Sequence, residues 1–251
     1  MKALVLAAGY ATRLYPLTRD RPKPLLAVGG RPILEHLLER LAPIEGLDGV
    51  SVVTNARFAD HFRRWVDEYR PPRPELRPTI IDDGTTSDDD KLGAIGDLVL
   101  VLQRQRVDDD LIVVAGDGLF SESLAGFGRF SAGRGTPVLA VYDVGDLETI
   151  KRYSEIVVDD DGRVVGFEEK PERPTSTLAG IALYFYPRPV FPLIRQYVDE
   201  GNNADQPGRL VEWLYTRVPV YTWQVPGRWL DIGSPDTLAE ADRVVTETAQ
   251  S

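Results

Sequence analysis

The sequence predicts an α/β fold: a mixed, mostly parallel central sheet flanked by helices. Two observations carry this. Lys2 to Ala7 and Leu111 to Ala115 are continuous apolar runs, as strands buried on both faces require. Between them, strand-like runs alternate with segments whose apolar residues recur at helical spacing, which is the rhythm of βαβ units. The chain has 251 residues, of which 43% are hydrophobic and 27% charged, enough to bury one sizeable core. No internal repeat or linker divides it, so residues 1–251 read as a single domain with an N-terminal half to about residue 120 and a more β-rich half after it.

The elements follow in order. Lys2 to Ala7 is the first strand, and a loop rich in Gly, Thr, Arg and Pro runs from it to Pro24. Ile33 to Leu41 is a helix with Ile33, Leu34, Leu37, Leu38 and Leu41 on one face and Pro32 at its start. Val50 to Thr54 is a strand, and Arg57 to Tyr69 a helix burying Phe58, Phe62, Trp65, Val66 and Tyr69. A proline-rich break precedes the strand Thr79 to Ile81, a polar loop runs through Asp90, and Leu92 to Gln103 is helical. Leu111 to Ala115 is a buried strand that ends at Gly116-Asp117-Gly118.

Later come a strand at Val138 to Tyr142, a hairpin of Glu155 to Val158 and Arg163 to Phe167 turning at Asp159-Asp160-Asp161-Gly162, and a strand at Ala182 to Tyr186. Phe191 to Val198 and Leu210 to Arg217 read as helices, Val220 to Val225 and Trp229 to Ile232 as short strands. Ser234 caps a last helix whose first position is Pro235.

Composition excludes several chemistries. A formal net charge of -10 argues against nucleic acid as a partner, because phosphate backbones need basic faces. There is no cysteine, hence no disulfide, thiolate metal site or Cys nucleophile. The two histidines, His36 and His61, fall in helical segments and read as helix residues rather than ligands. No apolar run approaches the roughly 18 residues a membrane span needs, so the expectation is a cytoplasmic protein without membrane contact. Nineteen prolines, one methionine and an excess of Arg over Lys match a thermophile, and equally a genome rich in arginine codons. The acidic runs Asp88 to Asp90, Asp108 to Asp110 and Asp159 to Asp161 read as solvated turns.

The strongest motif is Leu6-Ala7-Ala8-Gly9-x-x-Thr12-Arg13-Leu14-x-Pro16-x-Thr18, continued by Pro22-Lys23-Pro24-Leu25. A buried strand ends in small residues that let the backbone approach a ligand. Arg13 offers a two-pronged fork for phosphate oxygens, and Lys23 a point charge stiffened by prolines on both sides. The loop lies beyond the carboxyl end of a strand, where open α/β sheets bind ligands. It lacks the Gly-Lys-Ser/Thr of a P-loop and the G-x-G-x-x-G of a dinucleotide fold. The residues point to phosphate binding; a solvated Gly/Pro loop is the bland alternative.

This segment resembles the signature of the sugar nucleotidyltransferases, the family of the glucose-1-phosphate thymidylyl-, cytidylyl- and uridylyltransferases. Three later segments fit the same family in order: Ala115-Gly116-Asp117, Phe167-Glu168-Glu169-Lys170-Pro171 and Trp229-Leu230-Asp231-Ile232-Gly233. The resemblance implies a Rossmann-like fold of the nucleotide-diphospho-sugar transferase type. It implies transfer of a nucleoside monophosphate from an NTP, dTTP or UTP before CTP, to a sugar 1-phosphate, with pyrophosphate released. It assigns Mg²⁺ to Asp117 and Asp231. It gives catalytic roles to Arg13, Lys23, Asp117 and Lys170, and nucleotide contacts to Ala7, Ala8, Gly9, Thr12, Arg13, Lys23 and Gly93. Thr86 and Lys91 read either as base or ribose contacts or as parts of a solvated acidic loop. Glu155, Glu169, Lys170 and Gly180 take the sugar phosphate. Relatives of this kind often assemble, so a homo-oligomer is expected. Gly118 stands where the family has Asn, Ser154-Glu155 where it has Gly-Val, and Ile181-Ala182 where it has Thr-Gly. Tyr153 and Glu155 keep open an acceptor such as phosphocholine, used by a cytidylyltransferase. A non-catalytic regulatory subunit on the same fold would have lost Arg13, Lys23, Asp117 or Asp231, and all are present.

Overall fold

The computed structural model describes residues 1–249. In chain order its elements are β1 (Lys2–Leu6), a small hairpin β2 (Ala27–Val28) and β3 (Arg31–Pro32), α1 (Ile33–Leu41), β4 (Val50–Thr54), α2 (Ala59–Glu68), β5 (Thr79–Asp82), α3 (Gly93–Arg104), β6 (Leu111–Ala115) and β7 (Gly118–Phe120). The second half adds α4 (Ala125–Ser131), β8 (Val138–Asp143), α5 (Leu147–Ile150), β9 (Ser154–Val158), β10 (Val164–Glu169), β11 (Leu178–Tyr186), α6 (Phe191–Asp199), α7 (Pro207–Leu214), β12 (Tyr221–Gln224), β13 (Trp229–Asp231) and α8 (Pro235–Ala249).

The main sheet has nine strands, with the path β10-β9-β11-β6-β1-β4-β5 and β8 and β12 joined to it through β11. The N-terminal half, β6-β1-β4-β5, is parallel throughout. β11 then pairs antiparallel with β6, β8 and β9, so the mixed character comes from the C-terminal half. Successive β1 side chains point to opposite faces: Ala3 and Val5 join one apolar layer with Leu34, Leu37 and Phe62 of α1 and α2, and Leu4 joins the other with Ile95, Leu98 and Val101 of α3. Burial on both faces is why these strands show no polar alternation. Each fully buried Leu or Phe in these layers contributes about 1.5–3 kcal/mol relative to exposure.

The predicted elements are present, with shifted ends. The strand expected at Ala182 to Tyr186 starts earlier, at Leu178, and the helix expected from Leu210 spans Pro207–Leu214. Ser234 accepts the Thr237 amide at 3.2 Å, the expected cap on α8. His36 lies half-buried in α1 with Nε2 2.8 Å from the Val28 carbonyl, a tie between helix and hairpin. The β2–β3 hairpin, β7 and the short α4 and α5 carry too few apolar residues to show periodicity. Among the described residues no helix is long and apolar enough to cross a membrane.

The topology decides where a ligand binds. From β1 the chain steps to β4 on one side, and β6 returns on the other. The loops after β1, β5 and β6 therefore open at the same carboxyl edge, next to the switch point between β1 and β6.

Candidate functional site

Two clefts open at this edge. The first, about 330 Å³, is lined by Ala7, Ala8, Gly9, Arg13 and Lys23 on one side and by Asp83, Lys91, Gly93 and Asp97 on the other. Its loop is held from below. The Asn55 amide, just past β4, donates to the Ala8 carbonyl at 2.8 Å, and the buried Thr18 hydroxyl donates to the Ala11 carbonyl at 2.7 Å. Leu14 is buried with Ile33, Leu119 and Ile232, which anchors the turn that carries the exposed Arg13. Pro22 and Pro24 bracket Lys23 in a single helical turn, and Leu25 and Leu26 bury the far end. Lys23 is only 9% exposed, and its ammonium donates to Asp117 Oδ2 at 2.6 Å.

Asp117 stands just past β6, and Asp231 ends β13. The antiparallel pairing of β13 with β7 sets Asp231 opposite Gly118 and so brings the two carboxylates together. Leu119, Leu230 and Ile232 pack this ribbon against Leu14 and Ala241. Asp231 is held above the ordinary carboxylate range, chiefly because burial disfavours its charge and then because Asp117 repels it; Lys23, Arg13 and a hydrogen bond from Tyr153 pull the other way. Burial and the Asp231 charge in turn push the Tyr153 phenol up to about 12. Asp117 and Asp231 are the two hard oxygen donors here that could hold an ion such as Mg²⁺, which asks only one or two carboxylates of a protein.

The second cleft, about 240 Å³, is lined by Asp117, Arg152, Tyr153, Ser154, Glu169, Gly180, Ala182, Tyr184, Gly208, Trp229 and Asp231 among others. Ala115, Asp117 and Pro207 line both clefts, so the two join at Asp117. The Ser154 hydroxyl donates to Glu169 Oε2 and fixes that carboxylate in the wall. Ser154, which stands where the family has Gly, itself lines this cleft.

The predicted residues divide between lining and support. Arg13, Lys23, Ala7, Ala8, Gly9, Lys91, Gly93 and Asp117 line the first cleft, and Glu169, Gly180, Asp117 and Asp231 the second. Four stand elsewhere. Glu155 is 6% exposed, and its Oε1 accepts the Thr175 hydroxyl at 2.8 Å together with the Thr175 and Ser176 amides. It pins the loop before β11 instead of meeting an acceptor, which removes one of the two features that favoured phosphocholine. Thr86 spends its amide and hydroxyl on Asp90, at 3.0 and 2.9 Å, and builds the turn of the acidic loop. Thr12 is exposed on the turn before Arg13 and outside the cleft lining. Lys170 is exposed beyond Glu169 in a left-handed conformation, φ 53°, its amide donating to the Tyr153 carbonyl at 2.9 Å. Lys91 is paired with Asp88 at 3.3 Å and Asp205 at 3.2 Å.

Sequence reasoning gave no site role to Arg152, Trp229, Asp83 or Asp97, all of which line the clefts. A signal for Asp97 existed: it is the one carboxylate in Gly93 to Gln103, whose neighbours Ile95, Leu98, Val101 and Leu102 are all core. Burial, and then the charge of Asp83, hold its carboxyl above the usual range. The sign of the pH effect follows. A carboxyl whose pKa is raised by folding binds more protons folded than unfolded, so its contribution is present below the unfolded pKa and is lost as pH rises through the folded one. Asp97→Asn is therefore expected to raise the thermal midpoint over wild type by a few degrees (about 2–4 °C for each kcal/mol) near pH 9 and by less near pH 5. Equal shifts at both pH values, read by calorimetry, would contradict the assignment.

The chain is 26% identical to the bifunctional protein GlmU of Methanocaldococcus jannaschii over 98% of its own length and 55% of that protein's. It is 28% identical to the UTP–glucose-1-phosphate uridylyltransferase AglF of Haloferax volcanii, over 100% of this chain and 99% of that one. It thus spans about half of the first relative and nearly all of the second. The fold matches the crystal structure of a UDP-glucose pyrophosphorylase complexed with UDP-glucose, with a TM-score of 0.82 at 20% identity, covering 98% of each chain. The nucleotidyl transferase family model matches residues 2–248. On that match the chain belongs to the nucleotidyl transferase family.

Proposed function

We propose that the chain transfers a nucleoside monophosphate from an NTP to a sugar 1-phosphate, with Mg²⁺, and releases pyrophosphate. The observation that carries this reading is the junction at Asp117, where a cleft lined by the exposed Arg13 and the buried Lys23 meets a cleft walled by hydroxyl, carboxylate and aromatic groups. A reaction that joins two phosphates needs such a seam. The names of the relatives, a uridylyltransferase among them, support it.

The chemistry asks for charge and position rather than covalent help. The exposed Arg13 would take the leaving β- and γ-phosphates. Lys23 would meet charge growing on the α-phosphate, exchanging its present Asp117 partner for phosphate oxygens. Asp117 and Asp231 would hold Mg²⁺, which supplies positive charge to the phosphates. Glu169, fixed by Ser154, would accept sugar hydroxyls, and the exposed cations Arg152, in the cleft lining, and Lys170, next to Glu169 in the chain, would draw in the acceptor's phosphate. The attacking phosphate oxygen is already anionic, so no general base is required, and a chain with two histidines and no cysteine suffices.

The test is pyrophosphate release from ATP, CTP, GTP, UTP and dTTP against a panel of sugar 1-phosphates and phosphocholine, with and without EDTA. Mg²⁺-dependent release with a sugar 1-phosphate is the expected result. Release with phosphocholine alone, or none from folded protein, contradicts the reading. The acceptor wall gives a finer test. A Cβ added at Gly208 would lie 2.5 Å from Glu169 Oε2 and 2.8 Å from Ser154 Oγ. Gly208→Ala is thus expected to raise KM for the sugar phosphate about tenfold, leaving KM for the NTP unchanged. An equal rise in both would place Gly208 outside the acceptor site.

A further inference from the structure

Asn55, the residue after β4, is fully buried and lines neither cleft. Its side chain bridges two segments. Nδ2 donates to the Ala8 carbonyl at 2.8 Å, and Oδ1 accepts the amide of Phe58, just before α2, at 3.1 Å. A carbonyl waits at one end and an N–H at the other, so one end must donate and the other accept. Among side chains of this size only a carboxamide does both: an ionised Asp lacks the donor, and Leu lacks donor and acceptor alike.

The bond to Ala8 has a consequence on the other side of the peptide. The Ala8–Gly9 peptide is trans, so its C=O and its N–H lie in one plane and point opposite ways. Holding the Ala8 oxygen in the interior therefore turns the Gly9 N–H outward. Gly9 lines the first cleft on the side that carries Arg13 and Lys23. It is exposed, its amide has no acceptor among the described residues, and a Cβ added there would meet nothing within 4 Å. An open amide beside two cations, with free space before it, is a donor set for an anion, whereas a carbonyl in its place would repel one. The Ala11 carbonyl, also on this loop, is held by the same device: the fully buried Thr18 hydroxyl donates to it at 2.7 Å and the Leu14 amide at 3.0 Å.

We propose that Asn55 is a positioning residue for the nucleotide: it locks the Ala8–Gly9 peptide so that the Gly9 amide hydrogen-bonds an oxygen of the triphosphate. This rests on the reading of the first cleft as an NTP site. Asn55 has a second neighbour through which it could act, because the next amide, of Ala56, donates to the Thr85 carbonyl at 2.9 Å in the loop after β5. A residue acting through that loop would change binding of the nucleoside and leave binding of the phosphates alone, so the two roles separate by experiment.

The test is calorimetric titration of the whole chain, with Mg²⁺ and no acceptor, first against tripolyphosphate and then against the best-bound of GTP, UTP, dTTP, CTP and ATP. Tripolyphosphate is the triphosphate without base or ribose. Asn55→Asp keeps the size of the side chain and the acceptor for Phe58 and loses only the donor; Asn55→Ala loses the donor without adding charge. Both are expected to weaken tripolyphosphate and the NTP by the same factor, about 10- to 100-fold, the range for a hydrogen bond to a charged group. The unaltered protein supplies a second reading. With ¹⁵N-labelled glycine, the Gly9 amide proton is expected to move downfield as tripolyphosphate binds, and in Asn55→Asp to stay. Gly9→Ala, whose methyl stands in open space, identifies the signal by its loss. A Gly9 amide that does not move in wild type while tripolyphosphate binds overturns the proposal, whether or not either variant folds. So does a folded variant that binds tripolyphosphate as wild type does, or that loses affinity for the NTP alone. If the signal moves and both variants weaken tripolyphosphate but no acceptor yields pyrophosphate, the positioning role holds and the transfer reaction fails. Binding of neither tripolyphosphate nor any NTP to wild type overturns both.

Discussion

Lys23→Ala is expected to lower kcat about 10²- to 10³-fold, the usual cost of removing one preorganised charge from a transition state. The side chain is buried, braced by prolines on both sides and 2.6 Å from Asp117 at the seam of the two clefts. That rigidity means its charge is in place before the reaction needs it. A surface lysine that merely attracted nucleotide would change KM instead. Lys23→Arg is not expected to rescue, since a guanidinium does not fit a site shaped for a compact ammonium. Circular dichroism and a thermal melt separate this loss from unfolding. Near-wild-type kcat in a folded Lys23→Ala protein would remove the residue from the mechanism.

Asp231→Asn sets activity against stability. Turnover is expected to fall about 10²- to 10⁴-fold, because a metal's charge at the phosphates is worth several kcal/mol and each 1.36 kcal/mol is a tenfold change. The thermal midpoint is expected to rise. Burial and the neighbouring Asp117 hold the Asp231 carboxyl above its ordinary range, so its charged form weighs on the folded state. By the same linkage that burden grows as pH rises through the folded pKa, and the variant's gain over wild type grows with it. A purely structural aspartate would lose stability on substitution, with activity following. Parallel loss of both, measured by melting and pyrophosphate release, would contradict the metal assignment. Opposite movement is the pattern of a residue kept for function at a cost to the fold.

What the sequence made legible follows the physics of each element. β1 and β6 were readable because a strand covered on both faces has no polar positions. Asp117 was readable as the residue that leaves such a strand. Its meeting with Asp231 was carried only by the family resemblance, because β7 and β13 are three-residue strands that pair across more than a hundred positions. Glu155 shows the limit most clearly. Ser154 and Glu155 are adjacent on β9, and adjacent strand residues face opposite ways. Ser154 meets Glu169 in the cleft, while Glu155 turns to the loop at Thr175 and Ser176. Nothing in the pair's identity says which faces the cleft; the pairing register of β9 with β11 decides it. Arg152 escaped notice for another reason. It lies between a four-residue helix and a strand, where no periodicity marks which side chains point inward. Thr86 sits in a loop whose shape is set by Asp90, a local hydrogen-bond pattern that competes with any ligand for the same groups.

The most direct test of the joined site follows the atoms. A sugar 1-phosphate whose terminal phosphate oxygens carry heavy oxygen is incubated with NTP, Mg²⁺ and the chain, and both products are weighed by mass spectrometry. Attack of the sugar phosphate on the α-phosphorus across the seam at Asp117 predicts that all of the label appears in the nucleotide sugar and none in pyrophosphate, with no product when EDTA removes the metal. Labelled pyrophosphate, or pyrophosphate formed alongside free nucleoside monophosphate with the labelled sugar phosphate untouched, would contradict the account.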